Sequence, residues 1–172
     1  FVMPEPELSA DLYRLTQEVT AAHGLPAYEI SNHAKPGAES RHNLVYWRYG
    51  EYVGIGPGAH GRFIEHGRRT VTFTERLPER WLDLVELKGH GVIGGEVLTR
   101  SEEADEYLLM GLRLTEGIDL ARYEALAGRP LSSRRISTLQ DEGVVAPVGN
   151  SRLRATPAGM IVLDAVVADL AR

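Results

Sequence analysis

The sequence predicts an α+β chain, with a layered α/β first part followed by a mostly helical, winged-helix-like second part. Three observations predict it. Leu8, Leu12, Leu15 and Val19 recur at spacings of 4, 3 and 4, the stripe of an amphipathic helix. Short apolar segments separated by glycine-rich turns then follow, as in strands. In the last third the order is helix, helix, two-stranded wing, helix.

Taken in order, Gly24 stops the first helix and Leu25-Pro26 breaks the chain. Residues 27–31 are predicted as a short strand, 32–41 as a loop and 52–55 as a second strand. Residues 62–64 and 69–73 flank Glu65-His66-Gly67-Arg68 and predict a hairpin. Pro78 suits the first turn of a helix carrying Leu77, Trp81, Leu84 and Val85. Thr99-Arg100-Ser101-Glu102 matches a capping box and opens a helix to about Glu116, closed by Gly117. Asp119 caps a short helix ending near Gly128, and Ser132 caps another ending at Gly143. Residues 144–148 and 152–155 flank Gly149-Asn150-Ser151 and predict the wing. Thr156-Pro157 starts one last helix bearing Ile161, Leu163, Val166, Val167 and Leu170. The domain boundary falls between Phe73 and Arg100, which gives residues 1–75 and 76–172 as the two units.

The chain has 172 residues, 43% hydrophobic and 25% charged, a balance that fits a globular protein and excludes a disordered one. It has no cysteine, which excludes disulfides, zinc–thiolate sites and any thiolate-held iron–sulfur cluster in this chain. No apolar run approaches the roughly 18 residues of a membrane span, and no secretory signal is visible, so the expected location is cytoplasmic. The net charge of −5 argues against a non-specific nucleic-acid binder. The start, Phe1 to Pro4, lacks an initiator methionine and reads as the interior of a longer protein.

All six histidines lie between His23 and His90, so imidazole chemistry belongs to the first half. Arg41-His42-Asn43-Leu44-Val45-Tyr46-Trp47 gathers an imidazole, an amide, a phenol and an indole in six residues. Such a group can stack a planar ligand, hydrogen-bond its edge and ligate a metal. By residue type alone the structural reading comes first, with Tyr46 and Trp47 as ordinary core aromatics and His42 as a satisfied polar residue in a loop. Gly56, Gly58 and Gly61 match the glycine pattern of a dinucleotide-binding turn, but a strand-like segment follows and Pro57 removes a backbone donor. What remains is a turn, or a strand end where glycines admit a flat ligand. Zinc-ligand spacing and a nucleophile elbow are both absent from the sequence. The winged-helix order raises DNA binding through Arg134, Arg135, Arg152 and Arg154, which the net acidic composition opposes.

Three motifs then add a resemblance. Tyr28-Glu29-Ile30-Ser31-Asn32-His33-Ala34-Lys35-Pro36-Gly37 resembles the YEISN-x-A-[RK]-PG segment of HemW-type radical-SAM proteins. His42 to Trp47 matches their HNxxYW motif, and Gly54 to Gly61 their GIGxGAHG segment, all within 34 residues. Gly111 to Ile118 and Thr156 to Gly159 resemble the same proteins' C-terminal domain. These proteins are relatives of oxygen-independent coproporphyrinogen III oxidase, and HNxxYW is similar to the HemW branch.

The resemblance implies a C-terminal remnant of a radical-SAM partial barrel over residues 1–75 and a HemN/HemW-type helical domain over 76–172. It implies a haem chaperone of porphyrin metabolism. The complete protein would carry a [4Fe–4S] cluster, S-adenosylmethionine and haem, none of them held by this stretch alone, which would be catalytically inactive. Haem or porphyrin and haem-receiving proteins are the implied partners, with self-association through the incomplete barrel. His42, Asn43, Tyr46, Trp47, Gly56, Gly58 and His60 are the implied cofactor-binding residues, with His42 as candidate haem ligand. The alternatives are an anaerobic coproporphyrinogen III oxidase and a DNA-binding winged-helix protein. Two departures stand out: the Cys-x-x-x-Cys-x-x-Cys motif is missing, and Ser40 stands where the family often has cysteine.

Overall fold

A computed structural model of the protein describes residues 3–172. Helix α1 (Pro6–Ala22) leads into a segment with only isolated bridges, and α2 (Arg41–Trp47) follows. Strands β1 (His60–Glu65), β2 (Arg68–Thr74) and β3 (Val92–Val97) form an antiparallel sheet in that order, with α3 (Pro78–Lys88) between β2 and β3. Then come α4 (Arg100–Gly111), β4 (Ile118–Asp119), α5 (Leu120–Ala127) and α6 (Ser133–Asp141). Strands β5 (Val145–Val148) and β6 (Arg152–Ala155), and helices α7 (Pro157–Ile161) and α8 (Leu163–Leu170), complete the chain. The second sheet has the order β4-β6-β5, so the expected wing gains a third strand and the α+β, winged-helix-like architecture holds.

The capping signals hold where the sequence placed them. Thr99 and Glu102 form a full capping box on α4, and the Asp119 and Ser132 side chains cap α5 and α6. The hairpin also holds, with Glu65 opposite Arg68 and His66 and Gly67 both at positive φ in the turn.

Several local expectations are corrected. Residues 27–31 and 52–55 are not strands. They make single bridges, Ala27 to His33, Glu29 to Leu114 and Tyr52 to Arg62. In the second of them Gly54 lies so close to the His60 backbone that a Cβ would sit 2.5 Å from its carbonyl oxygen, which leaves no room for a regular ladder. The segment expected as a loop around His42 is helix α2, nucleated by the Ser40 hydroxyl, which accepts from Asn43 N–H. The helix expected to reach Glu116 stops at Gly111, which has no Cβ and packs directly on Ile118. The single last helix breaks at Val162 (φ −115°) into α7 and α8. Strand β3 was hidden by Gly94 and Gly95, which weaken any strand signal; they lie against Phe73 and the Val71 carbonyl.

The core sits in the C-terminal part. Leu108, Leu112 and Ile118 are fully buried, with Tyr123, Leu153 and Leu170 beside them. Each buried leucine contributes about 1.5–3 kcal/mol by removal from water. Helix α1 buries nothing completely, and its stripe of Leu8, Leu12, Leu15 and Val19 is about half exposed. Strand β3 also joins β1 and β2, so the first sheet draws on residues from both sides of position 75.

Candidate functional site

Helix α2 is only seven residues long, and its neighbours hold it in place. Asn43 Nδ2 donates to the Tyr28 hydroxyl at 3.1 Å, which ties α2 to the segment after α1. At its C-terminal end the chain turns sharply at Tyr49, whose φ of +54° lies in the left-handed region that a bulky residue rarely adopts. Two guanidiniums hold that turn. Arg69 Nη2 and Arg122 Nη2 both donate to the Tyr49 carbonyl, at 3.2 and 3.0 Å. Arg69 also lies over the Tyr49 ring, 3.9 Å from its centroid.

The Tyr49 hydroxyl donates to Glu106 Oε2 at 3.0 Å, and Arg62 grips the same carboxylate through Nε and Nη2 at 3.1 and 2.9 Å. Burial, reinforced by Glu106, pushes the Tyr49 phenol far above its ordinary pKa. This cluster fastens β1 and the end of α2 to α4. A second ionic group lies nearby. Arg48 and Arg152 both reach Glu116, at 2.8 and 3.5 Å. Hydrogen bonding from Arg48 holds the Glu116 carboxyl below the usual range, with the Arg48 and Arg152 charges adding to the effect.

On the outer side of α2 the aromatic rings form a row. His42 meets Tyr46 edge-on with centroids 4.7 Å apart, as the i, i+4 spacing of a helix dictates. Tyr46 in turn meets Tyr52 edge-on at 4.3 Å. His42 is exposed and has no hydrogen-bond partner among the described residues. Asn43, Tyr46 and Trp47 line an apolar niche of about 270 Å³ closed by Met110. The structure therefore brings together four of the expected residues, His42, Asn43, Tyr46 and Trp47.

Gly56, Gly58 and His60 stand in a separate turn packed on the end of β2. The Thr74 hydroxyl donates to Gly56 O at 2.6 Å and accepts from Ala59 N–H at 2.8 Å, and Gly58 N–H donates to Glu75 O. Gly56 and Gly58 have φ of +100° and +68°, which explains glycine at both. His60 is exposed at the start of β1, with Phe73 as its aromatic neighbour at 6.5 Å. Its link to α2 runs through Tyr52, which bridges Arg62.

Sequence reasoning missed Met110, Tyr49 and the arginines around Glu106 and Glu116. The carboxylates that Tyr49 and these arginines meet lie 36 or more residues away in sequence, so no local spacing marks them. A cavity of about 510 Å³ between α1 and α7 is likewise unmarked in the sequence. No cluster of three or more His, Asp or Glu gathers among the described residues. No described helix is long and apolar enough to cross a membrane.

The family described as HemN C-terminal domain matches residues 98–162. This stretch runs from the residue before the α4 cap to the break before α8 and contains the three-stranded wing. Over these residues the chain is similar to the HemN C-terminal domain family. Over 97% of its length it is 36% identical to a cattle protein named radical S-adenosyl methionine domain-containing protein 1, mitochondrial, covering 40% of that protein. It is 36% identical over 87% of its length to the Bacillus subtilis heme chaperone HemW, covering 38% of it. The solved structure of Escherichia coli coproporphyrinogen III oxidase (HemN) superposes on 97% of the chain with a TM-score of 0.69 at 16% identity, covering 42% of that enzyme, which shows a shared fold. The resemblance read from the motifs holds, and the chain spans about 40% of the length of the curated relatives it matches.

Proposed function

We propose that this chain is the C-terminal part of a HemW-type haem chaperone and that the outer face of α2 takes part in holding haem. The observation that carries the reading is the free imidazole of His42, exposed, unpaired among the described residues and standing against Tyr46 at 4.7 Å. A neutral imidazole suits haem iron as an axial ligand. Tyr46 and Trp47, half-buried beside Met110, offer the macrocycle an apolar surface. Asn43 is occupied by Tyr28 and serves to set the helix. Gly56, Gly58 and His60 flank the site beyond Tyr52, where the open Gly56 turn lets a flat edge approach.

A thiolate-held [4Fe–4S] cluster does not fit this chain, which has no cysteine. We place that cluster, and the S-adenosylmethionine it would bind, in the remainder of the longer protein. The residues to 75 are proposed as the end of its barrel and those from 76 as its C-terminal domain. Haem-receiving proteins are the proposed partners, and the exposed α1 stripe is the proposed seat of self-association when the remainder is absent. The proposed location is the cytoplasm, on the absence of cysteine and the likeness to bacterial HemW proteins, while the cattle relative is named mitochondrial. DNA binding is disfavoured because Arg135 is bound to Asp169 and Arg152 to Glu116 and Gly117 O.

The test is titration of the full-length protein with haemin, read at the Soret band, beside an anaerobic assay of coproporphyrinogen decarboxylation. Haem binding without decarboxylation supports the chaperone. Decarboxylation without haem binding supports the oxidase, whose fold the chain shares.

A further inference from the structure

Trp47 is the last residue of the HNxxYW motif, and it lines two niches. One is the apolar niche it shares with Asn43, Tyr46 and Met110. The other is a smaller niche of about 180 Å³ whose wall includes Arg48, Arg122 and Arg152. The indole Nε1–H is buried and has no acceptor. An orphaned buried donor is unusual in a folded protein and is destabilising unless something supplies an oxygen. Two carboxylates also line the smaller niche, and both are already engaged. Glu116 is held by Arg48 and Arg152, and Asp119 Oδ1 accepts from Arg122 N–H to cap α5. With three guanidiniums against two carboxylates, the niche is net positive.

We propose that this niche receives a ligand carboxylate, with Trp47 Nε1–H as its hydrogen-bond donor and the positive charge of the Arg48 and Arg152 guanidiniums, whose own N–H groups stay on Glu116 and Gly117, drawing it in, while the apolar body of the same ligand rests on the Tyr46–Trp47–Met110 side. The proposal rests on the haem reading above and identifies the carboxylate as a propionate of the porphyrin. It accounts for tryptophan at the end of the motif, because an indole combines an apolar ring with one N–H donor. A phenylalanine would give only the face. The arginines act through charge and the indole through a single directed hydrogen bond, so the acid form of a porphyrin is favoured over a form with capped acids.

The experiment compares haemin with haemin dimethyl ester, whose propionates can no longer carry charge, in the full-length protein. Wild-type protein is expected to bind haemin about tenfold more tightly than the ester, the worth of one charge-assisted hydrogen bond. Trp47→Phe is expected to fold normally, because its indole donor has no partner to lose, and to bring the two affinities within about twofold. Arg48→Gln, on an exposed ion pair, should shrink the same preference at only a small cost in stability, so that the variant still folds. An unchanged preference in both variants overturns the proposal, as it would if a buried water were the indole's acceptor. Equal binding of haemin and ester by the wild type overturns it too, while leaving the haem reading intact. Failure to bind either compound defeats the haem reading itself, and the proposal with it.

Discussion

Glu106 ties the first part of the chain to the second, and its removal has a calculable effect. The carboxylate accepts from Arg62 twice and from the Tyr49 hydroxyl once. Arg62 and Glu106 side chains are 18% and 23% exposed, so the pair is mostly withdrawn from water. Glu106→Ala strands the guanidinium and leaves the phenol unpaired. Breaking a fully buried pair from one side costs about 3–5 kcal/mol. The residual exposure here lets water reach the stranded groups, so a loss of about 2–3 kcal/mol is expected. For a chain of this size each kcal/mol lowers Tm by roughly 2–4 °C, so Tm should fall by about 4–12 °C. Glu106→Gln keeps the shape and acceptor oxygen and should fall by less than half as much. Thermal melts followed by circular dichroism give the answer. A fall below 1 °C for Glu106→Ala would show that the cluster contributes nothing to docking β1 and α2 on α4.

Three further outcomes follow from the same structure. Glu116 has its pKa depressed from 4.5, so its contribution to stability is present above that value and is lost as pH falls through the lower folded-state pKa. Melts across pH 2–6 should therefore fall less steeply on the acid side for Glu116→Gln than for wild type; parallel curves would count against the Arg48–Glu116–Arg152 link. Gly117→Ala should cost more than about 2 kcal/mol, because φ is +67° and a Cβ would meet Leu153 O at 2.1 Å, while Gly128→Ala, at φ +73° with only Arg100 Nη1 at an unstrained 3.7 Å, should cost about 1 kcal/mol. Equal urea midpoints for the two would refute the packing part of that argument. Thr99→Ala removes the hydroxyl half of the α4 capping box, leaving the Thr99 backbone N–H on the Glu102 carboxylate, and should cost about 1 kcal/mol in the same assay.

Local chemistry made much of the fold legible. Thr99, Asp119 and Ser132 cap their helices because a side-chain oxygen beside free N–H groups has one use wherever it occurs. The turn at His66-Gly67 was legible for the same reason. What stayed hidden was set by tertiary contact. Gly94 and Gly95 look like a break, yet they pair in β3 because Phe73 and Val71 occupy the space of their side chains. His42 looked like a loop residue because Ser40 is a weak signal without a long apolar period after it, and α2 is short. The site was half legible. His42, Asn43, Tyr46 and Trp47 are contiguous and could be read as one group, and the helix does bring them together. Met110 and the arginines around Glu116 arrive from distant segments, and only the packing of α4 and β6 on α2 reveals them.

The most direct test of the central claim is the visible spectrum of the haemin-loaded full-length protein with His42→Ala. The side chain is exposed and unpaired, so the variant should keep its Tm within about 1 °C, as surface substitutions generally do. The axial-ligand signature of the Soret region should change, and haemin affinity should fall at least about tenfold. An unchanged spectrum and affinity in the folded variant would place the iron ligand elsewhere and contradict the role given to α2.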